Sequence, residues 1–127
     1  MKIYYAHHMF KYDTEDENNE IKQIKKMFKN YEIINPNGSI IENGNSKDAM
    51  KQCFDLIRKV DILIFTTLED GNFGKGVYDE IGLAIDLNIP VFFLRENIFI
   101  KVNKIEEISK IIVESTKSNR RFATITI

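Results

Sequence analysis

The stretch from residue 60 to residue 94 limits the possible folds more than any other part of the sequence. It contains two short apolar runs, ILIF at residues 62–65 and VFFL at residues 91–94, on either side of a glycine-bearing loop and a segment with helical spacing of apolar residues. Continuous apolar runs of this length are typical of strands buried on both faces of a parallel sheet. The stretch therefore predicts a strand at residues 61–66, a helix over about residues 76–87 and a strand at residues 91–94.

The rest of the chain repeats this alternation. Strands are predicted at residues 2–6 and 31–34, one helix begins after Thr14, and another covers residues 47–59 with Ser46 as its cap. Thr14 and Glu17 have the capping-box spacing. Residues 98–102 are either a short strand or an arm, and residues 104–115 and 121–127 are a predicted helix and a predicted final strand. The pattern indicates one α/β domain over residues 1–127, a doubly wound, flavodoxin- or Rossmann-like fold with a mostly parallel five-stranded sheet and helices on both faces.

A doubly wound sheet predicts where a ligand binds. Ligands of such folds lie beyond the carboxyl ends of the strands, where the strand order switches direction. For the order 2-1-3-4-5, this site lies between the loops at residues 7–12 and 67–75. Because neighbouring strand residues face opposite sides, we expect one of Tyr4 and Tyr5, and one of His7 and His8, to face the site.

Composition excludes several classes of function. The formal net charge of −1 gives no electrostatic basis for binding a nucleic acid polymer. No apolar run approaches the roughly 20 residues that span a bilayer, so we expect no membrane association. The single cysteine, Cys53, fits a reducing cytoplasm. Two neighbouring histidines and one distant cysteine do not have metal-ligand spacing, so neither a metal nor another cofactor is predicted.

Three glycines and a lysine precede the helix at residues 76–87. Free backbone N–H groups near Gly71, Gly74 and Gly76, together with the charge of Lys75, would suit an anion at the start of that helix. The spacing matches neither a P-loop nor a dinucleotide-binding fingerprint. The alternative is a flexible turn between a strand and a helix.

Two carboxylates are candidates for chemistry. Glu80 borders the inward stripe of the helix and would act as a nucleophile at the mouth of a pocket. The alternative, which the residue pattern alone favours, is an acid near the N-terminus that stabilises the helix dipole. Asp55 lies two positions from Cys53, where the pattern alone favours a solvated helix face.

Three segments resemble the nucleoside 2-deoxyribosyltransferase superfamily, which includes deoxyribonucleoside 5′-monophosphate N-glycosidases. These are the start KIYYA at residues 2–6, VDILIF at residues 60–65, and GVYDEIGLA at residues 76–84 with NIPV at residues 88–91. The last segment is similar to the family's Gly-Thr-x-x-Glu-[Ile/Leu/Val]-Gly-x-Ala pattern. The chain departs from the family at His7-His8-Met9-Phe10, where a small turn is common, and at the step from Lys75 to Gly76.

The resemblance implies roles for particular residues. Glu80 would attack the anomeric carbon, Tyr4 would orient it, and Asp55, or alternatively Asp48, would assist. The loop after the third strand would hold the 5′ end of the sugar or a 5′-phosphate. The predicted substrate-binding residues are His7, Asp70, Gly71, Gly74, Lys75 and Gly76. The same resemblance implies a homodimer or higher homo-oligomer.

The sequence predicts cleavage or transfer at the N-glycosidic bond of a (deoxy)nucleoside or nucleoside 5′-monophosphate. Two other functions stay open at this point. One is a non-catalytic module that binds a nucleotide or a nucleotide-derived signal in the same pocket. The other is an assembly protein whose segment RFATITI, at residues 121–127, pairs with a partner as an edge strand.

Overall fold

The fold is a five-stranded sheet with helices on both faces, as the sequence predicts. The computed structural model describes residues 1–41, 43–109 and 111. The strands are β1 (Lys2–Ala6), β2 (Glu32–Ile34), β3 (Ile62–Phe65), β4 (Val91–Arg95) and β5 (Ile98–Val102). Their order across the sheet is β2-β1-β3-β4-β5. The first four strands are parallel, and β5 is antiparallel to β4.

In the described part of the chain, three helices of twelve or thirteen residues cover the sheet: α1 (Glu15–Met27), α2 (Ser46–Ile57) and α3 (Gly74–Asp86). A short 3₁₀ turn, Met9–Lys11, follows β1, and a one-turn segment, Pro36–Ser39, follows β2. The helix α1 packs on one face with Ile3 and Tyr5. The helices α2 and α3 pack on the other face with Tyr4 and Ala6. The predicted alternation of the two tyrosines is therefore confirmed.

The local signals at the helix starts were partly right. Thr14 caps α1, because its hydroxyl accepts a hydrogen bond from the Glu17 N–H. In a capping box, the Glu17 side chain would accept a hydrogen bond from the N–H of Thr14. It accepts from the N–H of Asp13 instead, one residue earlier in the chain. The prediction that Ser46 caps α2 is wrong. The side chain of Asn45 accepts hydrogen bonds from the N–H groups of Lys47 and Asp48, and Ser46 is the first residue of the helix. The helix α3 begins two residues before the predicted start at residue 76.

Residues 98–102 are a strand, which confirms the first of the two alternatives that the sequence left open. Residues 98–102 form the sheet edge through a hairpin with β4, in which Glu96 and Asn97 have φ values of 50° and 66°. Two consecutive positive φ values are the mark of a type I′ hairpin turn. A final strand was also predicted at residues 121–127, as a possible edge strand for pairing with a partner protein. These residues lie outside the described part of the chain. No helix in the described part of the chain has the length and hydropathy to cross a membrane.

A buried ion pair joins the loop after β1 to α1 and β3. Lys11 is 5% exposed and contacts the carboxylate of Glu20. Its ammonium also donates to the Thr66 hydroxyl at 3.1 Å and to the Thr67 carbonyl at 2.7 Å. Tyr5 and Thr66 donate to the same Glu20 carboxylate. A buried charge is costly unless it is fully partnered. Moving the ends of β1 and β3 apart would remove partners from these charges, so the cluster holds the two ends at a defined separation.

We expect Lys11→Met to destabilise the protein by about 3 kcal/mol, because it leaves the Glu20 carboxylate without its cation in a poorly solvated place. Denaturant unfolding monitored by circular dichroism measures this loss. Adding Glu20→Gln should recover part of it, since the uncompensated charge is then removed. The exposed Lys22 of α1 provides the control, and Lys22→Met should stay within about 0.5 kcal/mol of wild type. Equal losses for the two lysines would contradict the assignment.

Candidate active site

A cavity of about 420 Å³ lies beyond the carboxyl ends of β1 and β3, at the predicted switch in strand order. The chain leaves β1 toward α1 on one face and leaves β3 toward α3 on the other, which opens a crevice between the two connections. The lining residues come from the loops after β1, β2 and β3 and from α2 and α3. They are His7, His8, Met9, Tyr12, Pro36, Ile40, Asn43, Gly44, Asn45, Ser46, Ala49, Met50, Cys53, Phe73, Gly74, Lys75, Gly76, Val77 and Glu80.

Glu80 and Tyr4 meet at the inner end of this cavity. Tyr4 is fully buried in the middle of β1, and its phenol donates a hydrogen bond to Oε2 of Glu80. Glu80 itself is 5% exposed and projects from the second turn of α3, next to the buried Val77 and Ile81. The thiol of Cys53, from α2, lies beside both groups and hydrogen-bonds to the Glu80 carboxylate. Elements from the sheet and from two helices therefore fix one carboxylate.

Burial controls the ionisation of this carboxylate. Burial raises the pKa of Glu80 to about 7, whereas the hydrogen bonds from Tyr4 and Cys53 lower it. The pKa of Tyr4 is also raised, by burial first and then by the adjacent Glu80 charge. The phenol therefore keeps its proton and acts as a donor. A carboxylate with a pKa near neutrality, inside a cavity, is typical of functional sites.

His7 lies on the cavity wall, but both of its ring nitrogens are occupied. Nδ1 is 3.1 Å from the Tyr5 carbonyl oxygen, and Nε2 is 2.7 Å from Oε2 of Glu17. The ring also stacks on Tyr5, with centroids 3.8 Å apart. Burial lowers the pKa of His7, and the hydrogen bonds to Glu17 and to the Tyr5 carbonyl oppose that shift. The His7 side chain is fully buried, with Tyr5 and Tyr12 packed against its ring, so it offers a ligand neither a free nitrogen nor an open ring face.

Glu17 extends this contact to the loop after β2. It is buried and accepts hydrogen bonds from the amides of Asn35 and Asn37. Burial alone would raise the pKa of Glu17, but hydrogen bonds from Asp13, His7 and these amides outweigh it and lower the pKa. The carboxylate joins α1 to the ends of β1 and β2. It thereby holds two walls of the cavity together.

The expectation that only one histidine faces the site is wrong. His7 and His8 both line the cavity, because β1 ends at Ala6 and strand alternation no longer applies beyond it. Gly74 lies against His8: it has a φ of 84°, and a Cβ atom there would be 3.0 Å from Cδ2 of the histidine. Both the backbone conformation and the space therefore require glycine at this position.

The predicted binding loop divides into two parts. The first part is a closed turn, in which the Gly71 N–H donates to the Leu68 carbonyl and Asp70 accepts from the Asn72 N–H. Asp70 is exposed, its pKa is lowered by the hydrogen bonds from Asn72, and neither Asp70 nor Gly71 lines the cavity. The second part, residues 73–77, does line it. Among the described residues, no side chain caps this first turn of α3.

Three predicted polar residues lie at or beyond the rim. The side chain of Lys75 is 87% exposed and pairs with Asp79 at 2.8 Å. Asp55 does not reach the cavity: its side chain is 55% exposed on α2, where it pairs with Arg58 at 3.1 Å. Asp48 also lies outside the lining and accepts a hydrogen bond from Asn43. The structure therefore brings Glu80 and Tyr4 together and leaves both aspartates apart from them.

Several wall residues were missed in the sequence. Cys53 and residues 43–46 line the cavity but are not among the site residues that the sequence predicts. Met50 lies one turn before Cys53 on the same helix face, a spacing that could have indicated a shared wall. The described residues contain no group of three or more His, Cys, Asp or Glu side chains arranged to bind a metal ion.

Comparison with known proteins supports the fold. Neither a protein-family model nor a curated protein matches the chain at a significant level. Among solved structures, the chain is similar to a conserved protein from Enterococcus faecalis V583, with a TM-score of 0.60 and 25% sequence identity. The match covers 73% of this chain and 62% of the length of that protein. This likeness agrees with a single α/β domain of the Rossmann-like class.

The raised pKa of Glu80 predicts a pH dependence of stability. Its pKa is about 7 in the folded protein against an ordinary value of 4.5, so the folded state holds this proton more tightly than the unfolded chain. Stability from this group is complete below about pH 4.5 and is lost as the pH rises through 7. The free energy of unfolding of Glu80→Gln, relative to wild type, should therefore increase between pH 4 and pH 8 by on the order of 3 kcal/mol.

Denaturant unfolding at a series of pH values measures this difference. The exposed Asp86, on the same helix, provides the control, and Asp86→Asn should show a constant offset from wild type. If the free energies of unfolding of Glu80→Gln and wild type change with pH in the same way, the Glu80 carboxylate is not a buried group with a shifted pKa.

Proposed function

We propose that the protein cleaves or transfers at the N-glycosidic bond of a (deoxy)nucleoside or nucleoside 5′-monophosphate, with Glu80 as the nucleophile. The observation that carries this proposal is the Glu80 carboxylate itself. It is almost fully buried, faces a cavity of small-molecule size and is held by a buried phenol. A carboxylate placed in this way has a high cost in stability, which a catalytic role explains.

The reaction follows the logic of retaining glycosidases. The ionised Glu80 carboxylate forms a bond to the anomeric carbon as the carbon–nitrogen bond breaks, and the base leaves with the electron pair and takes up a proton from solvent water. Water, or the nitrogen of a second base, then attacks the same carbon, loses its proton to solvent and releases Glu80 as a carboxylate. The first acceptor makes the protein a hydrolase, and the second makes it a transferase.

Tyr4 and Cys53 have supporting roles in this proposal. The Tyr4 hydrogen bond to Oε2 orients the carboxylate and favours its ionised form. The thiol of Cys53 favours the ionised form in the same way. Because the raised pKa of Tyr4 keeps its proton in place, Tyr4 positions the nucleophile and does not exchange a proton with the substrate.

The cavity walls suit a nucleoside. A volume of about 420 Å³ lies within the ~300–1,000 Å³ range of small-molecule sites, which are mostly apolar with a few placed polar groups. Met50, Phe73 and Val77 supply apolar surface for a base or sugar. The uncapped first turn of α3 supplies backbone N–H groups for the 5′ end of the sugar or a 5′-phosphate. In this arrangement Lys75 acts from the rim.

The decisive experiment measures release of free base. Wild-type protein is incubated with a panel of nucleosides, deoxynucleosides and their 5′-monophosphates, with and without an acceptor base, and the products are separated by chromatography. We expect wild type to release base from at least one of them. Glu80→Gln should lower the rate by 10³-fold or more, on the order of the loss seen when a catalytic nucleophile is removed.

Asp86→Asn is the matched control, because it removes a carboxylate from the same helix away from the cavity, and it should keep wild-type activity. Base release that survives in Glu80→Gln would overturn the proposed role of Glu80. If wild type releases no base but binds a panel member tightly, the pocket belongs to a binding module and the catalytic proposal fails.

The pH profile provides a second, independent test. Activity that requires the ionised carboxylate should rise with pH through about 7, the pKa of Glu80. Tyr4→Phe removes a hydrogen bond that lowers this pKa, so the acidic limb of kcat/KM should move to higher pH. Tyr5→Phe is the matched control, since Tyr5 lies on the opposite face and donates to Glu20 instead. If the acidic limb of kcat/KM lies at the same pH in Tyr4→Phe as in wild type, the proposed role of the phenol is excluded.

A further inference from the structure

A second depression lies beside the cavity, between α2 and α3. This α2–α3 groove is an open depression of about 540 Å³ lined by residues of the two helices. Ser46, Met50, Lys75 and Gly76 line both the groove and the cavity. The groove therefore continues from the cavity at the first turn of α3. The end of a ligand that lies at the first turn of α3 is therefore next to the groove.

The groove is positively charged. Lys47, Lys51 and Arg58 lie along one stripe of α2, and Lys75 faces them from α3. Two carboxylates, those of Asp55 and Asp79, line the same groove. Four cations against two carboxylates give the groove a formal charge of +2, whereas the whole chain has a net charge of −1. Positive charge is thus concentrated next to the cavity.

These cations are available to a ligand. Among the described residues, no carboxylate lies within ion-pair distance of Lys47 or Lys51. Arg58 and Lys75 have carboxylate partners, but their side chains are 52% and 87% exposed. Ion pairs this exposed contribute little free energy, so either cation can turn to an incoming anion at small cost.

We propose that the α2–α3 groove binds phosphates beyond the first, so that the preferred ligand is a nucleoside 5′-di- or triphosphate or a dinucleoside pyrophosphate. This inference rests on the proposed function, because it starts from a sugar whose 5′ end lies at the first turn of α3. From Gly76, a second and a third phosphate would extend over Lys75 toward Lys51 and Lys47. Flexible ammonium groups on an open surface suit a compact polyanion.

Binding to the non-cleaving variant Glu80→Gln tests the inference apart from catalysis. Calorimetry would measure dissociation constants for the deoxyadenosine, deoxyguanosine, deoxycytidine and thymidine series, each as nucleoside, 5′-mono-, di- and triphosphate. Binding of diadenosine pyrophosphate shows whether the groove accepts a second nucleoside or only a free phosphate tail. We expect affinity to rise about tenfold or more from the monophosphate to the di- or triphosphate of the preferred base, as new charge-assisted hydrogen bonds form.

A double charge reversal, Lys47→Glu with Lys51→Glu in the Glu80→Gln background, tests whether the groove lysines cause the gain in affinity. The ratio of triphosphate affinity to nucleoside affinity should fall by about tenfold or more. Acidic residues in the first turns of α2 favour the helix dipole, so this variant should fold. The matched control is Lys22→Glu with Lys26→Glu, which makes the same change of charge on exposed positions of α1, across the sheet. It should leave the ratio unchanged.

The outcomes separate this inference from the proposed function. If wild type releases base but binds nucleoside, mono- and triphosphate equally well, the groove inference is overturned and the proposed function stands. If no base is released yet polyphosphate binding depends on Lys47 and Lys51, the groove inference stands and catalysis fails. Equal effects of the α1 and α2 variants, or no measurable binding of any polyphosphate, would overturn the groove inference.

Discussion

The hydrogen bond between Tyr4 and Glu80 is the interaction on which the site depends. It joins the centre of β1 to α3 inside the core, where a carboxylate is stable only if it is neutral or well partnered. The contact requires β1 and β3 in their observed register and α3 close against them. Glu80 is a costly buried acid that faces the cavity, and the surrounding apolar packing outweighs its cost in stability.

Two further polar clusters give the cavity its rigid walls. Lys11 and Glu20 join the ends of β1 and β3 to α1, while His7 and Glu17 join the ends of β1 and β2. Each cluster is buried and includes a charged group with several hydrogen-bond partners, so it resists rearrangement. The loops at the carboxyl ends of three strands are thereby held by side chains from α1. The opposite side, formed by α2 and α3, carries the nucleophile candidate and the basic groove.

Much of this architecture could be predicted because it depends on local patterns. The buried runs of β1, β3 and β4 and the acidic start of α1 behaved as their periodicity indicates. The exact ends of the helices were harder to predict. The helix α2 begins at Ser46 because Asn45 caps it, and α3 begins at Gly74, where glycine adopts a φ of 84° without strain. The antiparallel edge strand β5 depends on a hairpin turn of Glu96 and Asn97, in which asparagine favours a positive φ but glutamate does not.

The sequence by itself determined the class of fold, the end of the sheet where a ligand would bind, and the identity of Glu80 and Tyr4 as candidates. Only the tertiary structure decided that these two side chains touch, that Cys53 joins them, and that Asp55 faces solvent. It also showed that Lys75 lies at the rim, between the cavity and the groove. The physical reason is that periodicity records which face of an element is apolar. The distance between two polar side chains on different elements depends on how the helices pack on the sheet.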